Sequence, residues 1–415
     1  MRVALASIHP RPLSGQIEGL AGLAHALQGR GHFVHIVSAF PSRALLSADR
    51  MPLAIKSPHV FFDQPARMTR ILVRLVRLAP QTDVIQLNLP TPAFAIYADL
   101  LQSLVRVPVV VGYEAHLVRP RDLLRLDRLR AAPVFYLPRL LINNRLVARL
   151  TGRRAAGYVV SSQYQKAELL SLGIASERIH ILPPILPPDK LARAPREIAR
   201  STFPPGRLIT FVGHYNHVKG VEVLVRAFQS LAPRVPDARL VLAWSGIGSN
   251  RRVKELLTHP ERTLSEQSES KRQSKDVLAG RVIQLGQVRV PDLLGASDVV
   301  VLPYRLTIGQ AAFPAILLEA LAAHAPVVTT DLPLLRELTD GGKTALLVPP
   351  DDPTALAAAI ERVLNDPALG ARMTAAQRDW VEQIQPSRVA QDYERLYEQI
   401  IASQARVLLP APDRE

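Results

Sequence analysis

The sequence predicts an α/β protein built as two domains with parallel sheets. Three observations carry that prediction. Strand-like and helix-like runs alternate along the chain, a proline-rich stretch interrupts them near the middle, and the alternation then restarts. A length of 415 residues accommodates two cores of about 200 residues each.

The elements follow in order. "RVALAS" (2–7) is a short apolar run ending in a polar loop. Ile17, Leu20, Ala21, Ala24 and Leu27 recur at spacings of three and four, which predicts a helix. "GRGH" (29–32) stops it with glycine, and "FVHIVS" (33–38) reads as the next strand. This is a βαβ unit of a parallel, right-handed crossover. "DVIQLNL" (83–89) and "VPVVVGY" (107–113) read as buried strands with a helix between them. "GYVVSS" (157–162), a helix over about 163–172 and "IHILPP" (179–184) complete the first domain. Seven prolines between 183 and 205 predict a stiff, extended connection. The second series is "RLITFVG" (207–213), the helix "VEVLVRAFQSL" (221–231), then strands at 238–246, 281–286, 298–304 and 326–331. The polar run at 251–277 reads as a surface insertion.

Composition narrows the function. Apolar residues at 48% and charged residues at 21% exclude a disordered chain, and no apolar run approaches the roughly 18 residues of a membrane span. Cysteine is absent, so disulfides, thiolate metal sites, iron–sulfur clusters and a cysteine nucleophile are excluded. Without a targeting segment the cytoplasm is the default compartment. The net charge is +15, and all of it lies in residues 1–200, with 27 basic and 12 acidic side chains; residues 201–415 hold 24 of each. Ten arginines fall within 116–154, interleaved with large apolar residues and opposed by Asp122 and Asp127. Such a stretch is either a solvated helical face or a contact with anionic lipid, on the inner face of the cell membrane. No zinc-finger or RNA-binding signature accompanies it, so nucleic acid is not expected.

Two constellations carry chemistry. In "FVGHYNHVKGVEVLVRAF" (211–228) Gly213 permits a sharp turn, His214 and Lys219 flank the loop, and the helix that follows offers unpaired N–H groups to an anion. A lysine there suits a diphosphate, although a loop lysine is commonly just solvated. In "PYRLTIGQAAFPAILLEALAAHAPVVTTD" (303–331) Pro314 fits the first turn of a helix, and Glu319 lies one to two turns in. A carboxylate accepts two hydrogen bonds at once, which suits a vicinal diol such as ribose; a helix-surface glutamate is the competing reading. The adjacent Asp351-Asp352 reads as a helix start rather than a metal site.

These stretches resemble glycosyltransferase family 4, retaining enzymes of the GT-B fold, over nearly the whole chain. "PLSGQIEGLAGLAHALQGRGHFVHIVS" is similar to the family's glycine loop, first helix and second strand; "ERIHILPP" to its inter-domain lead-in. "FVGHYNHVKGVEVLVRAF" and "FPAILLEALAAHAPVVTTDLPLLREL" are similar to its two donor-site segments. The resemblance implies two Rossmann-like domains whose parallel sheets face each other across a cleft. It implies an acceptor domain at 1–185, a Pro-rich linker at 186–206, a nucleotide-sugar donor domain at 207–378, C-terminal helices at 379–405 crossing back to the first domain, and a tail at 406–415.

The resemblance also implies roles. Lys219 would bind the donor diphosphate and Glu319 the ribose. Backbone around Gly286 and Val288 would contact the base. Phe313, Pro314 and Ala315 would offer N–H groups to the phosphates. Ser14, Gly15 and Gln16 would sit against phosphate and sugar. His116, in "GYEAH", matches the family's histidine near the reacting sugar. Two departures stand out. His214 replaces the family's arginine after Gly213, and Ala311 replaces the first of its paired glutamates, leaving Gln310 or Thr307 as substitutes. The implied activity is transfer of a sugar from a UDP- or GDP-linked donor to an acceptor hydroxyl, with retention and without a metal. The charged first domain favours a lipid-linked or cell-envelope acceptor. The departures keep open a non-catalytic nucleotide- or glycan-binding partner subunit; a phosphorylase or epimerase of the same fold is the third reading.

Overall fold

The computed structural model describes residues 1–7, 15–38, 64–89, 94–113, 150–191, 195–213, 217–243, 280–286, 288–306 and 313–408. The chain divides into two compact units. Unit 1 comprises Met1–Pro187, Ile308–Phe313 and Gln383–Glu415; unit 2 comprises Pro188–Thr307 and Pro314–Glu382. Each is an α/β unit around one six-stranded, wholly parallel sheet.

In unit 1 the strands are β1 (Arg2–Ser7), β2 (Phe33–Ser38), β3 (Val84–Leu89), β4 (Val109–Tyr113), β5 (Gly157–Val160) and β6 (Ile179–Ile181), in the order β2-β1-β3-β4-β5-β6. Strands buried on both faces must be apolar almost throughout, and β4 is buried along its whole length. One face is covered by α1 (Gly15–Gly29) and the C-terminal helix, which pack Leu20, Leu23, Leu27, Val389, Leu396 and Tyr397 into a common core. The other is covered by α2 (Gln64–Leu78) and α3 (Ala95–Leu104), through Met68, Ile71, Leu75, Ala98 and Leu101. Helix α4 (Gln163–Leu170) starts on Ser162, whose side chain accepts from the Gln165 N–H.

Helix α1 ends as the glycine predicts. Gly31 has φ +85, Gly31 N donates to Gln28 O at 2.9 Å and His32 N to Leu27 O at 3.1 Å, the paired bonds that close a helix on a left-handed residue.

Unit 2 begins where an extended linker is expected over 186–206. That stretch instead forms α5 (Pro188–Leu191) and α6 (Arg196–Ser201). Arg196 donates from Nη1 to the carbonyls of Gly295 and Ser297, at 3.0 and 2.9 Å, and pairs with Asp298. Proline is tolerated because Pro188 stands at a helix start and Pro195 at an N-cap, where no N–H is required. The strands are β7 (Arg207–Val212), β8 (Ala238–Ala243), β9 (Val282–Leu285), β10 (Val299–Leu302), β11 (Val327–Thr330) and β12 (Leu346–Val348). The helices are α7 (Val221–Leu231), α8 (Val290–Ala296), α9 (Ala315–Ala322), α10 (Pro333–Leu338), α11 (Pro353–Asn365) and α12 (Pro367–Gln383).

The unit 2 sheet runs β12-β11-β10-β7-β8-β9. The order reverses between β7 and β10, so the crevice at their carboxyl ends is the place where such a sheet takes a ligand. Asp352 caps α11, accepting from the N–H groups of Thr354 and Ala355, as its sequence position predicts. The C-terminal helix, α13 (Pro386–Leu408), belongs to unit 1. Among the described residues no helix is long and apolar enough to cross a membrane.

Candidate functional site

One unit 2 candidate, Lys219, follows β7 at that reversal. β7 ends at Val212, and the loop after it returns through Lys219 and Gly220 into α7. Gly220 caps the helix at φ +67, and a Cβ there would lie 1.8 Å from the Pro303 carbonyl oxygen. Only glycine lets the loop after β7 press this closely on the chain leaving β10. The Arg305 N–H, donating to Val218 O at 2.8 Å, ties the same two segments together.

That crossing places Lys219. Its ammonium lies 5.2 Å from the centroid of the Tyr304 ring, itself fully buried just beyond β10. A Cβ on Gly213 would sit 3.7 Å from Lys219 Nζ, in ordinary contact with it, so the glycine lies against the ammonium. Burial pulls the Lys219 pKa from 10.5 down to about 8. A cation held with little solvent gains strongly from an incoming anion.

The Tyr304 segment is fixed from the other side. Thr330 Oγ1 donates to Tyr304 O at 2.6 Å, Thr329 Oγ1 to Leu302 O at 2.8 Å, and Arg305 pairs with Asp351 beyond β12. Burial raises the Tyr304 phenol far above its usual range, so the hydroxyl stays neutral.

Glu319 is not a helix-surface residue. It is 7% exposed, on α9 among buried Leu317, Leu318, Ala320 and Leu321. Lys190 Nζ of α5 stands 3.9 Å from its Oε1. Lys190 comes from the stretch expected to be a linker, and its helix packs on α8 and α9. Lys219 and Glu319 have different neighbours in unit 2: the Tyr304 ring for one, Lys190 for the other.

The remaining candidates are placed as follows. Gly286 directly follows β9, with open space where a Cβ would be, and Val288 packs with Leu293. Pro314 is the N-cap of α9 rather than a residue inside its first turn. As proline it has no N–H, so among Phe313, Pro314 and Ala315 it cannot donate to a phosphate. Phe313 belongs with unit 1, where it lines a hollow together with Gly19, Asn88, Tyr113, Ser161 and Pro184. Gly15 and Gln16 form the first turn of α1. Ser14, His116, His214, Thr307, Gln310 and Ala311 lie outside the described residues, as does most of the arginine-rich 116–154 segment. Lys190, Tyr304 and the Arg305–Asp351 pair escape a reading by sequence. Tyr304 had a signal, the tyrosine two residues past an apolar strand; Lys190 had none.

Comparison with known proteins fits this geometry. The model for Glycosyltransferase Family 4 matches residues 14–190, and the model for Glycosyl transferases group 1 matches residues 206–366. The phosphatidyl-myo-inositol mannosyltransferase of Mycolicibacterium smegmatis is 30% identical over 206 residues, 49% of this chain and 47% of that protein. The D-inositol 3-phosphate glycosyltransferase of Pseudarthrobacter chlorophenolicus is 33% identical over 221 residues, 52% of this chain and 49% of that protein. The chain spans about half the length of these curated relatives. Among solved structures, HepE of Anabaena in complex with UDP-glucose superposes with a TM-score of 0.67 at 18% identity, covering 98% of this chain and 100% of that one. Sucrose-phosphate synthase of Thermosynechococcus elongatus gives 0.68 at 20% identity, covering 97% and 100%. Those structural likenesses show the GT-B fold. The two family matches, one in each half of the chain, show a family 4-like glycosyltransferase.

Proposed function

We propose that the protein transfers a sugar from a nucleoside diphosphate sugar to an acceptor hydroxyl, retaining the anomeric configuration. The observation that carries the reading is Lys219, held beside Gly213 and Tyr304 at the strand-order reversal of unit 2 with its pKa lowered to about 8. As the glycosidic bond breaks, negative charge grows on the diphosphate and positive charge on the sugar ring. Lys219 and the N–H groups opening α9 at Ala315 stabilise the leaving group where solvent is scarce. Glu319 accepts hydrogen bonds from the ribose hydroxyls, and Lys190 orients its carboxylate. No metal is required when these groups carry the charge.

The donor is UDP- or GDP-linked, so the base is uracil or guanine. Two relatives support opposite halves of the reading: one is named for a phosphatidyl-inositol acceptor, and one structure was solved with UDP-glucose. The acceptor is accordingly a lipid-linked or cell-envelope hydroxyl, approached at an anionic inner membrane surface through the 116–154 segment.

Thermal shift with UDP-, GDP- and ADP-sugars tests the donor, because a ligand that binds only the folded state raises the melting temperature. The matching sugar should slowly release nucleoside diphosphate, undiminished by EDTA and abolished in Lys219→Ala. Stabilisation without any release would leave a nucleotide-binding partner subunit. An inverted anomer in the transferred product, read by proton NMR, would remove retention.

A further inference from the structure

We propose that the outer face of α2 and α3 in unit 1 docks onto an anionic lipid bilayer. Both helices lie on the same core cluster, side by side over one face of the sheet. On α3 the outward stripe is Ile96, Leu100 and Leu104, at 55%, 48% and 58% exposure, spaced one helical turn apart. Leu150 is also exposed, at 71%. It stands two residues before Gly152, whose N–H donates to Asp99 of α3 at 2.7 Å. The exposed face of α2 carries one large apolar residue, Val73, at 44%. Scattered apolar residues on a surface need no explanation, but a continuous stripe does.

The charge beside the stripe selects its partner. The exposed face of α2 carries Arg70, Arg74 and Arg77, and α2 has no acidic residue. Arg154 reaches Ser103 on α3. Asp99, the single acidic residue of α3, is occupied by the N–H groups of Gly152 and Arg154. Apolar side chains bordered by arginine are what an interfacial surface on acidic lipid needs. A second copy of the chain would set these arginines against their own equivalents. The 119–149 segment, with eight arginines against Asp122 and Asp127, would meet them with like charge. An anionic bilayer is attracted by both halves of the face. The proposal supplies a surface for the lipid-linked acceptor and rests on that reading for its purpose alone.

The test is co-sedimentation of the full chain with vesicles of phosphatidylglycerol in phosphatidylcholine and with pure phosphatidylcholine, over a salt series. Two variants accompany it: Ile96→Gln/Leu100→Gln/Leu104→Gln, and Arg70→Gln/Arg74→Gln/Arg77→Gln. The wild type should bind the acidic vesicles, less as salt rises. Each arginine removed should weaken binding about fivefold, and the α3 variant should lose more than about tenfold. Leu100→Trp should show quenching by brominated phosphatidylglycerol beyond that of the native tryptophans, which reads the contact directly should the triple variant misfold. Three results overturn the proposal: no binding at low salt, wild-type binding by the α3 variant, or no added quenching in Leu100→Trp. Self-association of the wild type that the α3 variant abolishes, without vesicle binding, would assign the face to a second copy. Donor-induced thermal shifts measured on the same variants should stay unchanged, so a failed docking face leaves the proposed sugar transfer standing.

Discussion

Lys219 carries opposing demands on one side chain. In the unfolded chain it titrates at its ordinary 10.5, and in the folded chain at about 8. Between those values the unfolded protein holds a proton that the folded protein lacks, so the contribution of this group to stability rises with pH. Below pH 8 both states are protonated and the penalty of confining the ammonium stands. Lys219→Met should therefore raise the melting temperature at neutral pH while removing donor affinity, a divergence that calorimetry and a binding titration detect together. The wild-type donor affinity should itself decline above about pH 8, by up to about tenfold per unit, because the diphosphate needs the ammonium form. Glu319→Gln keeps the shape of its side chain and loses the charge. Donor affinity should fall about tenfold or more, and Lys190→Met should move the same constant in the same direction. The loop of Lys219 and the helix of Glu319 were legible as elements because each follows a recognisable strand. Tyr304 gains its role from the chain crossing at Gly220 and Lys190 from the packing of α5 on α9, and no local spacing encodes either contact.

The strands other than β12 and the helix α7 were legible as elements because both faces of a parallel sheet are covered, which forces near-continuous apolar runs such as "VVVL" in β10. The proline-rich stretch misleads for the opposite reason. Its local composition favours extension, while its helices are stabilised by tertiary partners, above all Arg196 on the carbonyls ending α8. Helix α2 buries Met68, Ile71, Leu72 and Leu75 at helical spacing, an element the sequence reading does not include. Helix α13 illustrates what an element gains from distance. Tyr397 is fully buried, and its hydroxyl donates to Gln86 Oε1 of β3 at 2.7 Å, while Gln86 Nε2 donates to Asn88 at 2.9 Å. Glu394 of the same helix pairs with Arg30 and His32 at the end of α1. Tyr397→Phe leaves the Gln86 oxygen without this donor in the interior of unit 1. It should lower stability by about 1–3 kcal/mol, measured by denaturant unfolding, with a donor-induced thermal shift unchanged.

For the whole molecule, charge and chemistry are distributed unequally along the chain. The excess of +15 lies in residues 1–200, whereas residues 201–415, which contain Lys219 and Glu319, balance at 24 of each sign. Long-range attraction to an acidic surface is therefore a property of the first half, and it works across distances that mobile ions screen. The proposed hold on a nucleoside diphosphate would be short-range, through a confined ammonium and oriented N–H groups, and ions would screen it far less. Salt should separate the two. Raising ionic strength from low to physiological should weaken association with acidic vesicles by an order of magnitude or more, while the thermal shift produced by the matching nucleotide sugar changes only slightly. If transfer takes place at a bilayer, turnover on a lipid acceptor should follow the vesicle curve, and donor hydrolysis in free solution should follow the flat one. Parallel loss of both with salt would place the acidic-surface contact and the donor grip in one electrostatic site, against the separation that the charge map gives.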